Sequence, residues 1–384
     1  MRLMTRYAAV LAFFAVALVP VVFFGVNGAW PGKSPPALAR PTPFPERVDS
    51  ELFRSAERWF NDRIGLRFRL IYLGARLQVA GLKRSINKNV YFGQNGWVFW
   101  ADSASSLEGR AIGPAALTPD ARGQLRFRTD EIESLNRELR TIRDQLAACG
   151  KTIVFVFAPH KQSIYPEQLF GARATFPATR LDDLLKRIEP DLRSMIVDVR
   201  PSLRAAKAAG VQVYMSADTH WNGIASVIVY KDLVDAINKL RPVHRADLAS
   251  FDYFDVAVAG NIEGDLGSVL HVPGRFIEPN FEMHPRTVVP IVNMSRGADG
   301  HLVYDNPDGE GSIMVSGDSF SLLFTKYLAR HFKRVEHHGR AVGSAIDGEV
   351  IAQYRPDVVV IELVERYMPM MLIPPKNLDR ACAK

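Results

Sequence analysis

The chain alternates between short, continuously apolar runs and longer segments in which apolar residues recur every three or four positions. The apolar runs are typical of buried strands, and they lie at 151–158, 195–199, 211–215, 312–315, 335–338 and 358–363. The periodic segments predict helices at 129–148, 181–192, 201–209, 320–332 and 347–354, with another ending near residue 240. Strands that alternate with helices in this way indicate an α/β fold with a mostly parallel sheet flanked by helices.

The first 48 residues follow a different pattern. Arg2 and Arg6 precede an uncharged run at 7–26, which as a helix is long enough to span a bilayer. Because basic residues mark the cytoplasmic side, we predict a membrane anchor at 1–28 with the rest of the chain beyond the membrane. A cleaved signal peptide is the alternative. Residues 29–48 are rich in proline and predict an extended linker.

Residues 49–120 predict a helical and hairpin extension before the main domain. Apolar residues at helical spacing indicate a helix at 51–82, and β-forming residues on both sides of Asn95-Gly96 predict a hairpin at 89–100. We assign 121–384 to one catalytic α/β domain. Within it, the Gly- and Pro-rich stretch 245–310 predicts an irregular insertion that could contain hairpins.

Composition narrows the partners only slightly. The 384 residues carry a net charge of +7, but no Lys/Arg patch with interleaved aromatics is present, so we do not expect nucleic-acid binding. The charge fits an acidic polymer or anionic lipid, and equally a basic surface without a partner.

The two cysteines, Cys149 and Cys382, lack metal-ligand spacing and could form a disulfide in an oxidising compartment.

Ser319 lies where the predicted strand 312–315 gives way to a helix, after the small-residue turn Ser316-Gly317-Asp318. A serine at such a turn projects from the carboxyl end of the sheet, beside the N–H groups of the next helix. This environment suits an acyl-transfer nucleophile, because a nearby N–H can stabilise the oxyanion. The alternative is a turn that merely caps the helix.

Asp218 and His220 follow the predicted strand at 211–215 and supply the other parts of a nucleophilic triad. His220 could deprotonate Ser319, and Asp218 could orient the imidazole, since alternate residues of an extended loop face the same way. Asp218, His220 and Asp318 could instead ligate a metal, but no second His or Cys lies at ligand spacing nearby. We expect no metal and no cofactor, and nucleotide-binding motifs are absent from the sequence.

A set of ordered motifs resembles the alginate O-acetyltransferase family, of the AlgX and AlgJ type. Besides the N-terminal anchor, they are GxxGWxF at 93–99, PxKxxxY at 159–165, DTHW at 218–221, GDL at 264–266, GDSF at 317–320 and ERY at 365–367. The resemblance covers about 50–384 and implies an SGNH-hydrolase-like domain. Because no separate carbohydrate-binding domain follows the last strand, we expect the chain to be closer to the AlgJ-like members.

The resemblance also implies a function. Ser319, His220 and Asp218 would transfer an acetyl group to hydroxyls of an exopolysaccharide, alginate or a similar polymer, in the periplasm. Backbone N–H groups at Ser319 would hold the oxyanion. The acetyl donor would be a membrane-bound O-acyltransferase at the inner membrane, within a polysaccharide biosynthesis or export complex. Candidates for contact with the substrate or the donor are Lys161, Tyr165, Arg366 and Tyr367, and each could equally have a structural role.

Two other functions stay open at this point. An esterase would use the same triad with water as the acceptor, and the sequence cannot separate it from a transferase. A non-catalytic component of a polymer-export complex would use the fold without the chemistry. Turnover of an acetyl ester by the wild type and by Ser319→Ala distinguishes that third function from the first two.

Overall fold

The structure is a computed structural model that divides into two compact units, Met1–Ile86 and Asn87–Lys384. It describes residues 51–63, 67–82, 84–87, 89–100, 106–107, 110–111, 119–170, 178–287, 293–296, 301–339 and 346–383. The predicted anchor at 1–28 and linker at 29–48 lie outside these residues. Within the described ranges, no helix combines the length and apolarity needed to cross a bilayer.

In the first unit, the described part of the predicted helix at 51–82 consists of α1 (Leu52–Arg63) and α2 (Arg67–Arg76). A π-helical segment, Leu77–Gly81, follows α2 directly. Ala75 and Val79 are buried, whereas Leu73 and Leu77 are exposed.

The second unit contains all the described strands. They are β1 (Val90–Phe92), β2 (Val98–Trp100), β3 (Ser106–Leu107), β4 (Arg110–Ala111), β5 (Thr152–Ala158), β6 (Ile196–Val197), β7 (Phe254–Glu263), β8 (Ile277–Pro285), β9 (Asn293–Arg296), β10 (Leu302–Asp305), β11 (Ser312–Gly317), β12 (Arg334–Gly339) and β13 (Val358–Val364). The predicted hairpin is confirmed as β1 and β2, joined through Asn95 and Gly96 at φ values of 53° and 81°.

The central sheet has seven strands in the order β6–β5–β13–β11–β12–β10–β9. The first five run parallel, but β10 pairs antiparallel with β12, and β9 pairs antiparallel with β10. The expected mostly parallel sheet is therefore a mixed sheet. The reason is the short connection at 306–311, which cannot return the chain along the sheet, so β10 must end at the edge where β11 begins.

Helices of the second unit pack on both faces of this sheet. They are α3 (Thr129–Ala148), α4 (Lys161–Ile164), α5 (Pro166–Phe170), α6 (Arg180–Arg187), α7 (Pro190–Arg193), α8 (Arg200–Ala208), α9 (Gly223–Leu240), α10 (Asp265–Val269), α11 (Leu322–Leu328) and α12 (Gly348–Tyr354). Val154 and Val156 of β5 join one hydrophobic cluster, whereas Ile153 and Phe155 join the cluster on the opposite face. A strand buried on both faces has the continuous apolar pattern that identified it in the sequence.

Several predicted elements differ from the structure. The helix predicted at 181–192 is two helices, α6 and α7, and the strand predicted at 195–199 is shorter, at Ile196–Val197. The helix after Ser319 is shorter than predicted, since α11 begins at Leu322 and ends at Leu328. The segment 211–215 is not a strand, and its Tyr214 makes only an isolated bridge with Trp221. Side chains take the place of a strand ladder there, because the Val213 N–H donates to the Tyr165 hydroxyl and the Met215 carbonyl accepts from Lys161.

The stretch 245–310, predicted as an irregular insertion, contains regular strands. Strands β7 and β8 form an antiparallel pair with a register shift between Val258 and Asn261, and β9 and β10 extend the central sheet. Helix α10 lies between β7 and β8. This region supplies Asp265 and Glu278, which bond to the loop that follows residue 215.

Candidate active site

The turn that carries Ser319 follows β11 and is held by the neighbouring Asp318. The Asp318 carboxylate accepts the Phe320 N–H through Oδ1 at 2.9 Å and the Val364 N–H through Oδ2 at 3.1 Å. Asp318 thus joins the turn to the carboxyl end of β13. Ser319 itself is exposed, and it precedes α11 rather than capping it.

Buried groups behind the turn fix its position. Glu362 is fully buried, and its Oε2 accepts the Asp318 N–H at 3.0 Å. Burial, reinforced by the charge of Asp318, raises the pKa of Glu362 well above its usual value. A Cβ at Gly317 would lie 2.5 Å from Ser321 Oγ and 2.9 Å from Glu362 Oε2, so only glycine fits at this position.

The structure brings Ser319, His220 and Asp218 into one hydrogen-bonded chain. His220 Nε2 lies 2.7 Å from Ser319 Oγ, and His220 Nδ1 lies 2.7 Å from Asp218 Oδ1. The His220 N–H also donates to Asp218 Oδ1, at 2.8 Å. This is the geometry by which an imidazole can accept the hydroxyl proton while a carboxylate holds the ring.

Asp218 is buried but stays ionised. Burial alone would raise its pKa, yet the hydrogen bonds from the side chain and backbone of His220 outweigh burial and lower the pKa of Asp218. The Asp265 N–H donates to Asp218 Oδ2 at 2.9 Å and occupies the second oxygen. An ionised, fully hydrogen-bonded carboxylate is suited to stabilise a charged imidazole.

Asp265 is a site residue that the sequence did not single out. Its Oδ1 accepts the Thr219 N–H at 2.9 Å, and its Oδ2 accepts the Thr219 hydroxyl at 2.6 Å. Burial, together with the charge of Asp218, raises the pKa of Asp265. The signal was the Gly-Asp pair at 264–265, which opens α10, but nothing in the sequence indicated which loop it contacts.

Two of the four candidate contact residues are buried and bonded to the backbone. The Lys161 ammonium donates to carbonyls of four residues, described below, and only 3% of the residue is exposed. The Tyr165 ring packs against Trp97 with centroids 4.4 Å apart, and its hydroxyl accepts the Val213 N–H at 2.9 Å. Their burial favours the structural alternative over substrate contact.

Arg366 lies beside the triad. Its guanidinium is 5.8 Å from the centroid of the Phe320 ring and 5.6 Å from that of Tyr367, which is half-buried against the core. The Phe320 ring in turn lies 4.7 Å from the His220 ring. Among the residues that the structure describes, none forms a hydrogen bond or an ion pair with the Arg366 guanidinium.

Two groups of acidic residues and histidine have metal-like spacing. Asp218, His220 and Asp265 form the first, but hydrogen bonds already occupy the carboxylate oxygens. The second is the buried cluster Asp120, His160 and Glu365, whose ligand atoms lie within 4.8 Å of one another. Arg200 lies 3.8 Å from Glu365, and the Arg180 guanidinium interacts electrostatically with Asp120. Positively charged side chains therefore already accompany the carboxylates of this second group.

The comparisons with known proteins agree with the motifs. The family model described as SGNH hydrolase-like domain, acetyltransferase AlgX, matches residues 90–345. A protein of Pseudomonas putida described as probable alginate O-acetylase AlgJ is 26% identical over 253 residues, which are 60% of this chain and 62% of that relative. The Azotobacter vinelandii protein of the same description is 25% identical, over 60% of this chain and 62% of its own length. The chain thus matches less than two thirds of the length of these relatives.

Among solved structures, the O-acetyltransferase domain of Pseudomonas putida AlgJ is similar over 73% of this chain and 92% of that one. The two share 20% sequence identity, and the TM-score is 0.43. The resemblance stated from the motifs is confirmed by the family model and by the curated relatives, both of which rest on sequence.

Proposed function

Because the chain belongs to the family of SGNH hydrolase-like domains found in the acetyltransferase AlgX, we propose that it is an O-acetyltransferase. Its substrate would be the hydroxyls of alginate or a similar exopolysaccharide, as the description of its relatives as alginate O-acetylases suggests. The observation that carries the proposal is the unbroken hydrogen-bonded chain from Asp218 through His220 to Ser319.

In the first step, Ser319 takes the acetyl group from the donor. As Ser319 Oγ attacks the acetyl carbonyl, His220 Nε2 accepts the hydroxyl proton and then gives it to the leaving oxygen of the donor. Asp218 stabilises the imidazolium through Nδ1–H, because its lowered pKa keeps it anionic. The products of this step are the acetylated Ser319 and the deacetylated donor.

In the second step, a sugar hydroxyl attacks the acetyl ester on Ser319. His220 Nε2 accepts the proton of that hydroxyl and returns it to Ser319 Oγ as the ester bond breaks. The acetyl group is then on the sugar, and the serine and the imidazole are restored. One histidine therefore serves both half-reactions from one position.

The oxyanion of each tetrahedral intermediate needs a donor near Ser319. Of the two amides in the turn, the Phe320 N–H already donates to Asp318. The Ser319 N–H is bonded to no acceptor in the part of the chain that the structure describes. We therefore assign the oxyanion to the Ser319 N–H.

Arg366 is our candidate for substrate recognition. Its guanidinium is half-buried beside Phe320 and bonds to no acid among the described residues, so it can pair with a substrate carboxylate. A uronic acid polymer such as alginate carries one carboxylate per sugar. Tyr367 would lie beside the substrate next to Arg366. Lys161 and Tyr165 are buried, so they would support the site without touching the substrate.

The remaining proposals concern location and partners. We place the chain in the periplasm, attached to the inner membrane through residues 1–28, with a membrane-bound O-acyltransferase as acetyl donor and a polysaccharide biosynthesis complex around it. The disulfide between Cys149 and Cys382 supports an oxidising compartment. The donor and the complex rest on the family resemblance.

The proposal is tested by measuring acetyl transfer directly. Purified protein, an activated acetyl ester as surrogate donor and deacetylated oligomannuronate as acceptor should yield acetylated oligosaccharide, detected by mass spectrometry. Ser319→Ala should yield none, whereas the matched variant Ser194→Ala, which replaces an exposed serine, should acetylate at the wild-type rate. Equal acetylation by the wild type and by Ser319→Ala would overturn the triad assignment.

An esterase is the second candidate, and one observation favours it. Ser319 is exposed, so water can reach an acetyl ester on its oxygen. The same assay separates the two functions if free acetate is measured beside acetylated sugar. Acetate release that does not fall as the acceptor concentration rises would assign the chain to the esterases.

A further inference from the structure

The loop that carries Asp218 and His220 is not part of a strand, yet it is held by the buried ammonium of Lys161. Lys161 Nζ lies 2.6 Å from the Asp218 carbonyl, 3.0 Å from the Ser216 carbonyl and 3.2 Å from the Met215 carbonyl. It also lies 2.6 Å from the carbonyl of Val98 in β2. One side chain thus connects three residues of the loop to the hairpin.

Glu278 of β8 holds the N–H groups of the same loop. Its Oε2 accepts the Ser216 N–H at 2.7 Å, and its Oε1 accepts the Ala217 N–H at 3.1 Å. Lys161 binds carbonyls and Glu278 binds amides, so together they take the role that neighbouring strands play in a sheet.

Helix α10 also contacts the backbone of the loop. The Leu266 N–H donates to the Ala217 carbonyl at 3.2 Å, and Gly264 approaches that carbonyl so closely that a Cβ would lie 2.1 Å from its oxygen. The backbone of 215–218 is therefore bonded on several sides. Lys161 bonds to the backbone carbonyl of Asp218, the residue whose carboxylate orients the imidazole.

We infer that Lys161 and Glu278 are positioning residues that fix the Asp218–His220 loop at the distance from Ser319 that catalysis needs. The inference rests on the proposed function, and it gives roles to two residues outside the triad. Neither residue touches Ser319 or the reacting atoms, so each acts through the loop.

The same geometry makes the loop sensitive to pH. An ammonium has three N–H donors for its four carbonyls, whereas a neutral amine has only two. Burial lowers the pKa of Lys161 to about 7, against the opposing charges of Asp218, Asp265 and Glu278. Those carboxylates are the charged groups that face it from the loop, α10 and β8, while β2 and its turn present the rings of Phe99 and Trp97.

The test compares Lys161→Met with the wild type across pH. With a surrogate acetyl ester at pH 6.5, the kcat of Lys161→Met should be about 10- to 100-fold lower than that of the wild type, because a small misplacement of a catalytic base is costly. The KM of the variant should differ from the wild-type KM by less than about 3-fold. Above pH 8 the difference should narrow, because the wild-type lysine is then neutral. Lys207→Met is the matched control, since Lys207 bonds to the Ile164 carbonyl and to Glu167 instead.

Glu278→Gln is a second variant, in case Lys161→Met does not fold. Its amide NH2 cannot accept an N–H, so kcat should fall at every pH. Because the Glu278 charge also raises the pKa of Lys161, the loss of rate that follows Lys161 deprotonation should move to lower pH in this variant. A folded Lys161→Met protein with wild-type kcat, or one whose rate ratio to wild type is constant from pH 6 to 9, would overturn the inference. Turnover that survives in Ser319→Ala would instead overturn the proposed function.

Discussion

His220 Nε2 lies 2.7 Å from Ser319 Oγ, although the two residues are 99 positions apart in the chain. The residues that follow them make the contact possible. Trp221 and Phe320 are both buried, and their rings pack edge to face with centroids 5.0 Å apart. This aromatic contact joins the start of α9 to the turn before α11, so the base and the nucleophile are brought together by hydrophobic packing directly beside them.

Asp218→Asn should lower kcat about a thousandfold or more while the fold is kept. An amide at this position favours the wrong imidazole tautomer and removes the negative charge that stabilises the imidazolium. Initial rates with an activated acetyl ester measure the effect, and circular dichroism checks the fold. Asp252→Asn replaces an exposed aspartate and should leave the rate unchanged; equal rates for Asp218→Asn and wild type would exclude a catalytic role for Asp218.

Gly264→Ala should impair both stability and turnover. Its Cβ would lie 2.1 Å from the Ala217 carbonyl oxygen and 2.4 Å from its carbon, and backbone cannot move aside as a flexible side chain can. We expect a loss of about 1 to 3 kcal/mol in the free energy of unfolding, typical of overpacking, together with a lower kcat. Urea denaturation and ester turnover measure these.

Gly339→Ala is the control for this change, because a Cβ there meets nothing within 4 Å. It should alter stability by less than about 0.5 kcal/mol, as ordinary surface substitutions do. Equal effects of the two alanines would show that the close approach at Gly264 does not constrain the loop.

Acid should destabilise the protein through His331. The Tyr230 hydroxyl lies 2.6 Å from His331 Nε2, and His331 Nδ1 lies 2.9 Å from the His244 carbonyl, an arrangement that suits a neutral ring. Burial lowers the pKa of His331 to about 4, below its usual 6.5. A depressed native pKa gives stability that is present above pH 6.5 and lost as the pH falls towards 4, by roughly 3 kcal/mol at most.

Denaturation midpoints at pH 7 and pH 4.5 measure this loss, and His331→Gln should make it smaller. His337 adds to the same acid sensitivity, because burial lowers its pKa to about 4 as well. Its contribution should remain in His331→Gln. If wild type and His331→Gln lose equal stability between the two pH values, His331 is not a source of the acid sensitivity.

The disulfide between Cys149 and Cys382 should contribute to stability but little to turnover. It joins residues 233 positions apart, so its removal should release considerable chain entropy, at most about 5 kcal/mol in the loop-closure description. The double variant Cys149→Ser, Cys382→Ser should melt at a lower temperature and keep its kcat at 25 °C. Reductant should lower the melting temperature of the wild type and leave that of the double variant unchanged.

Much of the fold could be predicted from the sequence because each buried strand has its own local signature. The strand at 151–158 and the helix at 129–148 are confirmed nearly residue by residue, since continuous burial and a single apolar stripe are both visible in the sequence. The antiparallel strands β9 and β10 could not be predicted, because they lie in a Gly- and Pro-rich region whose short strands gain stability only by pairing with the sheet.

The sequence by itself determined that Ser319, His220 and Asp218 are available at loop positions next to apolar segments, and in which order they occur. Those properties depend on local residue patterns. Only the tertiary structure decided that the three side chains meet, that Asp265 and Glu278 hold the loop, and that Lys161 faces backbone carbonyls rather than solvent. These contacts join segments far apart in the chain, and their partners are set by how the strands and loops pack together.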